Sequence, residues 1–296
     1  MLYDMVFCSL ASCCNDTECI NIAEDGQETH HSNPITGIGG INERKVTIMM
    51  EDKVDFTNSA KRLPIVFCLD ISPSMLNGKP ARITLLNTAV KNFISELKSH
   101  AKASVSAEIS FVTFSTEVDT PTPFECVGSL SVREFSAVHH GGTNMGAALL
   151  TSIEIIQQHR ENLMDAEIPY YAPFLVLVTD GNPDDNDDSQ NFKRAKEEII
   201  KHCTSHVGAE EIIVPFIIGV GKGVNAKTLD ELSRGFIDGF FHIKDNSQYT
   251  EMQFNNVFKM ISNSVVKSID LNSSHEQNIS RIKHDMKDLL KSLSGS

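Results

Sequence analysis

Long apolar runs, a surplus of basic residues and a cysteine framework are all missing from this sequence. No apolar run reaches the roughly 18 residues that a membrane-spanning helix needs, so we expect no membrane span. Lysine and arginine number 26 against 39 aspartates and glutamates, for a formal net charge of −13. A nucleic-acid-binding face needs clustered basic residues, so this balance argues against nucleic acid as a partner. It suits a protein that attracts cations or basic surfaces.

The seven cysteines are odd in number and irregularly spaced, which does not fit a disulfide framework. We therefore expect a reducing compartment and a cytoplasmic protein. Four of the seven lie between Cys8 and Cys19, but without the Cys-x2-Cys spacing of a zinc site. Leu10–Cys13 resembles a lipoprotein cleavage box, yet the stretch before it has no Lys or Arg and carries Asp4. The sequence thus favours neither zinc binding nor lipidation there.

Composition divides the chain into three parts. Residues 1–60 hold ten acidic residues against three basic ones, a net charge of −7. We interpret them as an acidic, partly disordered segment in which Lys45–Met50 is a candidate edge strand. Residues 61–270 carry the pattern of a folded domain. Residues 271–296 have apolar side chains at the three- and four-residue spacing of an amphipathic helix, namely Ile279, Ile282, Met286, Leu289, Leu290 and Leu293. This helix either packs on its own domain or docks on a partner.

Short apolar runs alternate with helical patterns through the central part of the chain. Uninterrupted apolar runs such as Ile65–Leu69 are typical of strands buried on both faces of a parallel sheet. Alternating strands and helices indicate βαβ units with right-handed crossovers. We therefore predict an α/β fold, a doubly wound, mostly parallel sheet flanked by helices. The predicted strands are 65–69, 108–114, 174–178, 212–218 and 240–243, and the predicted helices 83–97, 145–158, 191–203, 229–232 and 257–266.

Side chains with hard oxygen atoms follow several of these strands. Asp70, Ser72 and Ser74 come directly after the first core strand, and Asp180 ends another. Thr143 follows a Gly-Gly pair that allows close approach of the backbone. Ligands bind at the carboxyl ends of strands in open α/β sheets, so we expect these five residues to converge. Two carboxylates and three hydroxyls suit a hard cation that keeps some of its water ligands.

Each of these residues also has a purely structural interpretation. Ser72 and Ser74 could cap a helix, and Asp180 could shape a turn with Gly181. Beyond the five, the sequence favours no second site. The run Asp184–Asp188 fits a solvated loop, and a pair of histidines before Gly141, His139 and His140, fits a loop without a chemical role. Gly219–Gly223 lacks the phosphate-loop spacing and predicts a turn.

The spacing Asp70-x-Ser72-x-Ser74, with Thr143 and Asp180, resembles the metal-ion-dependent adhesion site of von Willebrand factor A (VWA) domains. The resemblance extends to bacterial stand-alone VWA proteins of the tellurium-resistance-associated type, and it is carried by Gly141–Gly146, Ile168–Tyr171, Val178–Gly181 and Ser262–Ser264. It implies that Ser72, Ser74 and Thr143 touch the metal, and that Asp70 and Asp180 act directly or through water. Two departures are Pro73, where glycine is usual, and the lack of a Cys-rich zinc ribbon.

The resemblance implies a binding module rather than an enzyme. Mg2+, or Mn2+ in its place, would bridge to an Asp or Glu of a partner protein, in a bacterial stress-response or defence assembly. A metal-dependent phosphohydrolase is the first alternative, but no Asp-x-Asp pair is present because position 72 is serine. A scaffold that acts through its two termini around a structural metal is the second alternative.

Overall fold

A six-stranded sheet forms the centre of the computed structural model, which describes residues 60–131, 134–181, 189–203, 211–245, 249–271 and 273–294. The predictions for residues 1–59 and for Asp184–Asp188 lie outside the described residues. The strand order is β3-β2-β1-β4-β5-β6, and within this sheet only β3 pairs antiparallel to its neighbour. This arrangement confirms the predicted mostly parallel α/β sheet. The strands are β1 Leu63–Asp70, β2 Ala107–Phe114, β3 Glu125–Cys126, β4 Phe174–Thr179, β5 Val214–Val220 and β6 Phe241–Ile243.

Seven α-helices connect and flank the strands in the described part of the chain. They are α1 Arg82–Ser99, α2 Ala103–Ser106, α3 Met145–Asp165, α4 Ser189–Cys203, α5 Ala226–Ser233, α6 Thr250–Asp270 and α7 His275–Ser294. A short 3-10 helix, Pro73–Leu76, lies between β1 and α1. None of the described helices has both the length and the apolar character to cross a bilayer.

Every residue of β1 is buried, because helices cover both faces of the sheet. Successive side chains of a strand point to opposite faces. Phe67 accordingly packs with Phe93 of α1 and Phe258 of α6, at ring-centroid distances of 5.2 and 6.1 Å. Cys68, the next residue, lies beside Ser152 of α3 on the other face, where burial raises the pKa of the thiol to about 12. The uninterrupted apolar run is thus explained by burial on both sides.

The apolar stripe of α7 packs on the same domain. Ile279, Ile282, Met286 and Leu293 are buried in the main hydrophobic core, and Leu289 and Leu290 pack against it. Lys267 of α6 and Asp285 of α7 form an ion pair of 2.8 Å at the edge of this contact. The stripe is therefore covered by the chain's own residues, as in the first of the two interpretations of the tail.

A buried charge cluster lies at the amino-terminal end of β1. Arg62 and His159 are each 1% exposed and Glu108 is 5% exposed. Glu108 accepts a hydrogen bond of 2.8 Å from His159 and lies 3.6 Å from the Arg62 Nε. The ring of Phe124 stacks on His159 at 4.0 Å between centroids. In this cluster the carboxylate therefore has a guanidinium and an imidazole from the same chain beside it.

Candidate metal centre

The two predicted carboxylates lie side by side because their strands are neighbours. β1 and β4 pair in parallel, with Leu69 opposite Val178. Asp70 is the last residue of β1, and Asp180 directly follows β4. Both are buried, with 0% and 2% of their surface exposed. The carboxyl edge of the sheet therefore brings two acidic side chains together inside the protein.

Among the described residues, Asp70 receives hydrogen bonds from neutral groups only. The Ser72 amide donates to Oδ1 at 2.8 Å, and the Thr179 hydroxyl donates to Oδ2 at 2.6 Å. Burial raises the pKa of Asp70 to about 6, although the hydrogen bonds from Ser72 and Thr179 lower it, and the negative charge of Asp180 raises it further. A buried carboxylate with neutral donors is stabilised when a cation comes close.

The Ser74 hydroxyl contacts Asp180, and the Ser72 hydroxyl contacts that of Ser74. Ser72 occupies the position before the 3-10 helix, but its side chain makes no capping hydrogen bond to that helix. The Ser72 and Ser74 hydroxyl oxygens lie 3.0 Å apart, and Ser74 donates to Asp180 Oδ1 at 2.5 Å. Pro73 is the first residue of the 3-10 helix, so its fixed φ fits the turn. The two hydroxyls and the carboxylate therefore form one chain of oxygens.

Thr143 reaches the same edge from the start of α3. It is 8% exposed, and its hydroxyl oxygen would lie 3.3 Å from a Cβ placed on Gly181, the residue after Asp180. The preceding glycines allow this approach. Gly142 donates from its amide to the Thr116 hydroxyl at 2.6 Å, and Gly141 has φ +134°, where a side chain would overlap Thr116. The structure thus brings all five sequence-predicted residues to one region.

Arg82 also belongs to this region, although the sequence did not point to it. Its guanidinium donates to Asp180 Oδ2 at 2.5 Å and to Asp245 Oδ2 at 2.7 Å. Arg82 is the first residue of α1, and Asp245 lies just after β6, 163 positions away. A single arginine at the start of an amphipathic helix has no recognisable pattern, so no sequence signal would have found this pair.

The donor set fits a hard divalent cation. It consists of two carboxylates and three hydroxyls, and oxygen donors of this kind suit Mg2+ and Mn2+. Within the described residues, no three His, Cys, Asp or Glu side chains cluster closely enough to hold a metal on their own. A site in this part of the chain would therefore rely on hydroxyl oxygens. His139 and His140 are exposed in the loop before Gly141.

Comparison with known proteins supports the fold. Residues 65–259 match the family model described as von Willebrand factor type A domain. The pilus adhesin SpaC from Lactobacillus rhamnosus GG, in its open conformation, matches with a TM-score of 0.51 and 13% identity, over 72% of this chain and 31% of that chain. Proximal thread matrix protein 1 from the mussel byssus matches with a TM-score of 0.45 and 17% identity, over 69% of this chain and 47% of that one.

A third solved structure, BatB from Bacteroides thetaiotaomicron, matches with a TM-score of 0.41 and 16% identity, over 68% of this chain and 99% of that chain. The match to SpaC, at 13% identity, shows the fold alone. The chain spans less than two thirds of the length of the mussel and Lactobacillus proteins. No curated protein sequence matches the chain.

Proposed function

Since the chain belongs to the von Willebrand factor type A domain family, we propose that it is a protein–protein interaction module that binds one divalent cation. Domains of this family commonly mediate protein–protein interactions. The cation would be Mg2+, with Mn2+ as a substitute, and it would bridge to an Asp or Glu side chain of the partner.

One observation carries this proposal: hydrogen bonds link Asp70, Ser72, Ser74 and Asp180 at the carboxyl edge of the sheet, and Thr143 lies beside Gly181, the residue after Asp180. In the proposal Ser72, Ser74 and Thr143 hold the ion, and Asp70 and Asp180 hold it directly or through water. A cation held largely by neutral oxygens keeps enough positive charge to attract a further carboxylate oxygen. Asp70 supplies the buried negative charge, and Thr179 fixes the orientation of that carboxylate.

We propose a binding role and no catalytic residue. A phosphohydrolase would need a carboxylate free to act as general base. Both oxygens of Asp70 and both oxygens of Asp180 accept hydrogen bonds from this chain. The two nearby histidines, His139 and His140, are exposed. No observation therefore favours hydrolysis over binding.

For the biological setting, we propose a cytoplasmic partner within a bacterial stress-response or defence assembly. The support is the resemblance to the stand-alone proteins of the tellurium-resistance-associated type. The scaffold alternative relied partly on a docking face of the tail helix. That face is covered by the domain itself, since Met286 is fully buried.

The first test measures the metal alone. We expect isothermal titration with Mn2+ and with Mg2+ to show one site per chain in the wild type. Ser72→Ala and Thr143→Ala each remove one hydroxyl without adding charge, and we expect each to weaken binding about tenfold or more. Asp238→Ala is the matched control, because Asp238 is exposed and lies outside the site. A wild type that binds neither ion would rule out the proposal.

The second test measures the partner. Wild type and Ser72→Ala would serve as baits in Mg2+ and in EDTA. We expect a protein that is retained only by wild type in Mg2+, and whose binding is lost when one Asp or Glu of its own is replaced by alanine. Retention that is equal in Mg2+ and in EDTA would contradict the metal bridge.

A further inference from the structure

Arg82 places a fixed positive charge inside the candidate metal site. Its side chain is 8% exposed and lies between Asp180, which is fully buried, and Asp245, which is 27% exposed. The guanidinium contacts the two carboxylates at 2.5 and 2.7 Å. Burial lowers the pKa of Arg82, but hydrogen bonds and charges from Asp245 and Asp180 raise it overall, so the group remains a cation. The site therefore already contains one positive charge before any metal binds.

A glycine beside Arg82 leaves room for its guanidinium. Gly221, just after β5, has φ +86°, and a Cβ at that position would overlap the guanidinium group. The Ser74 carbonyl accepts a further hydrogen bond from Arg82 at 3.4 Å. Arg82 is thus surrounded by groups at the carboxyl ends of several strands, and three of them accept its hydrogen bonds.

The position of Arg82 determines which oxygen atom of Asp180 can contact a metal ion. Asp180 has two oxygens: Oδ1 accepts from the Ser74 hydroxyl, and Oδ2 accepts from Arg82. The carboxylate is therefore shared between the hydroxyl side of the site and the guanidinium. Three carboxylates and one guanidinium give the group of Asp70, Asp180, Asp245 and Arg82 a formal net charge of −2. One divalent cation would neutralise that group.

We propose that Arg82 sets the affinity of the site for its metal by holding one oxygen of Asp180 and by opposing the charge of the ion. This inference rests on the proposed function. Arg82 is a positioning residue here, because it acts through Asp180. Its effect is to keep the metal weakly held. Neutralising Arg82 would leave a net charge of −3 and would release the second oxygen of Asp180 toward the ion.

The test is a Mn2+ titration of the full chain by calorimetry. We expect Arg82→Gln to bind Mn2+ about tenfold tighter than wild type, since a buried like charge is removed. Arg82→Lys retains the charge, and we expect its affinity to stay within about threefold of wild type. Arg234→Gln is the control, because Arg234 is exposed and distant in sequence from the site. Equal or weaker Mn2+ binding by Arg82→Gln would overturn the inference.

Asp245→Asn is a second variant for the same Mn2+ titration, in case Arg82→Gln does not fold. This variant keeps Arg82 but removes the partly exposed carboxylate that shares its charge. We expect Mn2+ binding to weaken about threefold to tenfold, because the guanidinium then acts on Asp180 alone. Unchanged or tighter binding would contradict the inference. If wild type itself does not bind Mn2+, the proposed function is wrong. If wild type binds Mn2+ but the variants do not change its affinity as expected, only the inference about Arg82 is wrong.

Discussion

Strand β1 has a buried carboxylate cluster at each end, and the two clusters differ in how their charge is balanced. At the amino-terminal end, Glu108 lies between Arg62 and His159, which belong to the same chain. At the carboxyl end, the described hydrogen bonds to Asp70 come from neutral groups, and the guanidinium nearby contacts Asp180 instead. The first cluster is electrostatically complete within the fold. In the proposed function, a cation from outside would stabilise the second cluster further.

Under the proposed function, this difference distinguishes a structural cluster from a binding site. Burying an ion pair is tolerated when each charge has partners with good geometry, and removing one partner is costly. Burying a carboxylate without a cation disfavours its charged form, which is why the pKa of Asp70 is raised to about 6. The proposed cation would offset this cost by stabilising the charged form of Asp70. The two ends of β1 can be compared directly by replacing each carboxylate with its amide.

Glu108→Gln should have the largest effect. The variant leaves Arg62 buried without its anionic neighbour and weakens the hydrogen bond from His159. We expect the free energy of unfolding to fall by about 3 to 5 kcal/mol. Urea denaturation followed by circular dichroism measures this change. Mn2+ affinity of the folded fraction should stay that of wild type. A decrease in the free energy of unfolding of less than about 1 kcal/mol would show that the charge of Glu108 does not stabilise the cluster.

Asp70→Asn should act in the opposite direction. The amide can still accept from the Ser72 amide, and it can reach the Thr179 hydroxyl, but it carries no buried charge. At neutral pH and without metal we expect the variant to be more stable than wild type by about 1 to 3 kcal/mol. Mn2+ binding should be lost. The free energy of unfolding and the Mn2+ affinity of Asp70→Asn should therefore change in opposite directions, with stability rising and metal binding lost.

One outcome of the two amide substitutions, Asp70→Asn and Glu108→Gln, would contradict the proposed difference between the two ends of β1. If Asp70→Asn destabilises the metal-free protein as much as Glu108→Gln does, the charge of Asp70 is balanced within the fold after all. The carboxyl end of β1 would then be a structural cluster like the amino-terminal one. Mn2+ titration of both variants would be needed alongside denaturation to reach that conclusion.

The pH dependence of stability follows from the raised pKa of Asp70. A carboxyl group whose folded pKa exceeds its unfolded value binds protons more tightly when folded, so it stabilises the fold at low pH. That contribution is complete below about pH 4 and is lost as pH rises to about 6. We therefore expect the stability advantage of Asp70→Asn to appear between these values and to vanish below them. Denaturation of both proteins across this range, in EDTA, measures it.

Saturating Mg2+ should reduce the loss of stability between about pH 4 and pH 6, because the ion stabilises the ionised carboxylate. The control is Asp238→Asn, which changes an exposed carboxylate and should follow wild type at every pH. A constant difference between wild type and Asp70→Asn from low to neutral pH would contradict the assignment of the raised pKa to Asp70.

Much of the fold follows from local sequence pattern. The uninterrupted apolar run at Ile65–Leu69 predicts a buried strand, and the structure has β1 at Leu63–Asp70. Other elements carry no such signal. The edge strand β3 has 2 residues and helix α2 has 4, which is too short for either periodicity to show. Helix α6 begins at Thr250, seven residues before its predicted start, because its first turns mix polar and apolar residues.

The proximity of the five candidate residues follows from the sequence, because each comes after a strand or a glycine pair, and strand ends meet at one edge of a parallel sheet. The identity of the metal and its binding remain predictions. Arg82 and Asp245 could not be predicted, because they lie 163 positions apart and only the fold brings them together. The contact between Glu108 and His159 at the other end of β1 could not be predicted either, since these residues are separated by 51 positions.

Thr179→Val should have the smallest effect, and it tests the neutral donors of Asp70. Thr179 is fully buried, and valine has nearly the same shape without the hydroxyl. We expect the unfolding free energy at neutral pH to fall by about 1 to 2 kcal/mol, because the charged Asp70 loses a donor. The pKa of Asp70 should rise further, so Mn2+ binding at mildly acidic pH should weaken.

A double-mutant cycle with Asp70→Asn decides whether this loss depends on the charge. In the Asp70→Asn background the hydroxyl of Thr179 faces a neutral amide, and hydrogen bonds to charged groups are the stronger ones. Thr179→Val should therefore cost less there than in wild type, by about 1 kcal/mol. An equal cost in both backgrounds would mean that the hydroxyl contributes through packing and through its acceptance of the Gly181 amide at 3.2 Å, and not through the charge of Asp70. The two ends of β1 would then differ in whether a cationic side chain lies beside the carboxylate. They would not differ in how strongly neutral hydroxyl groups stabilise its charge.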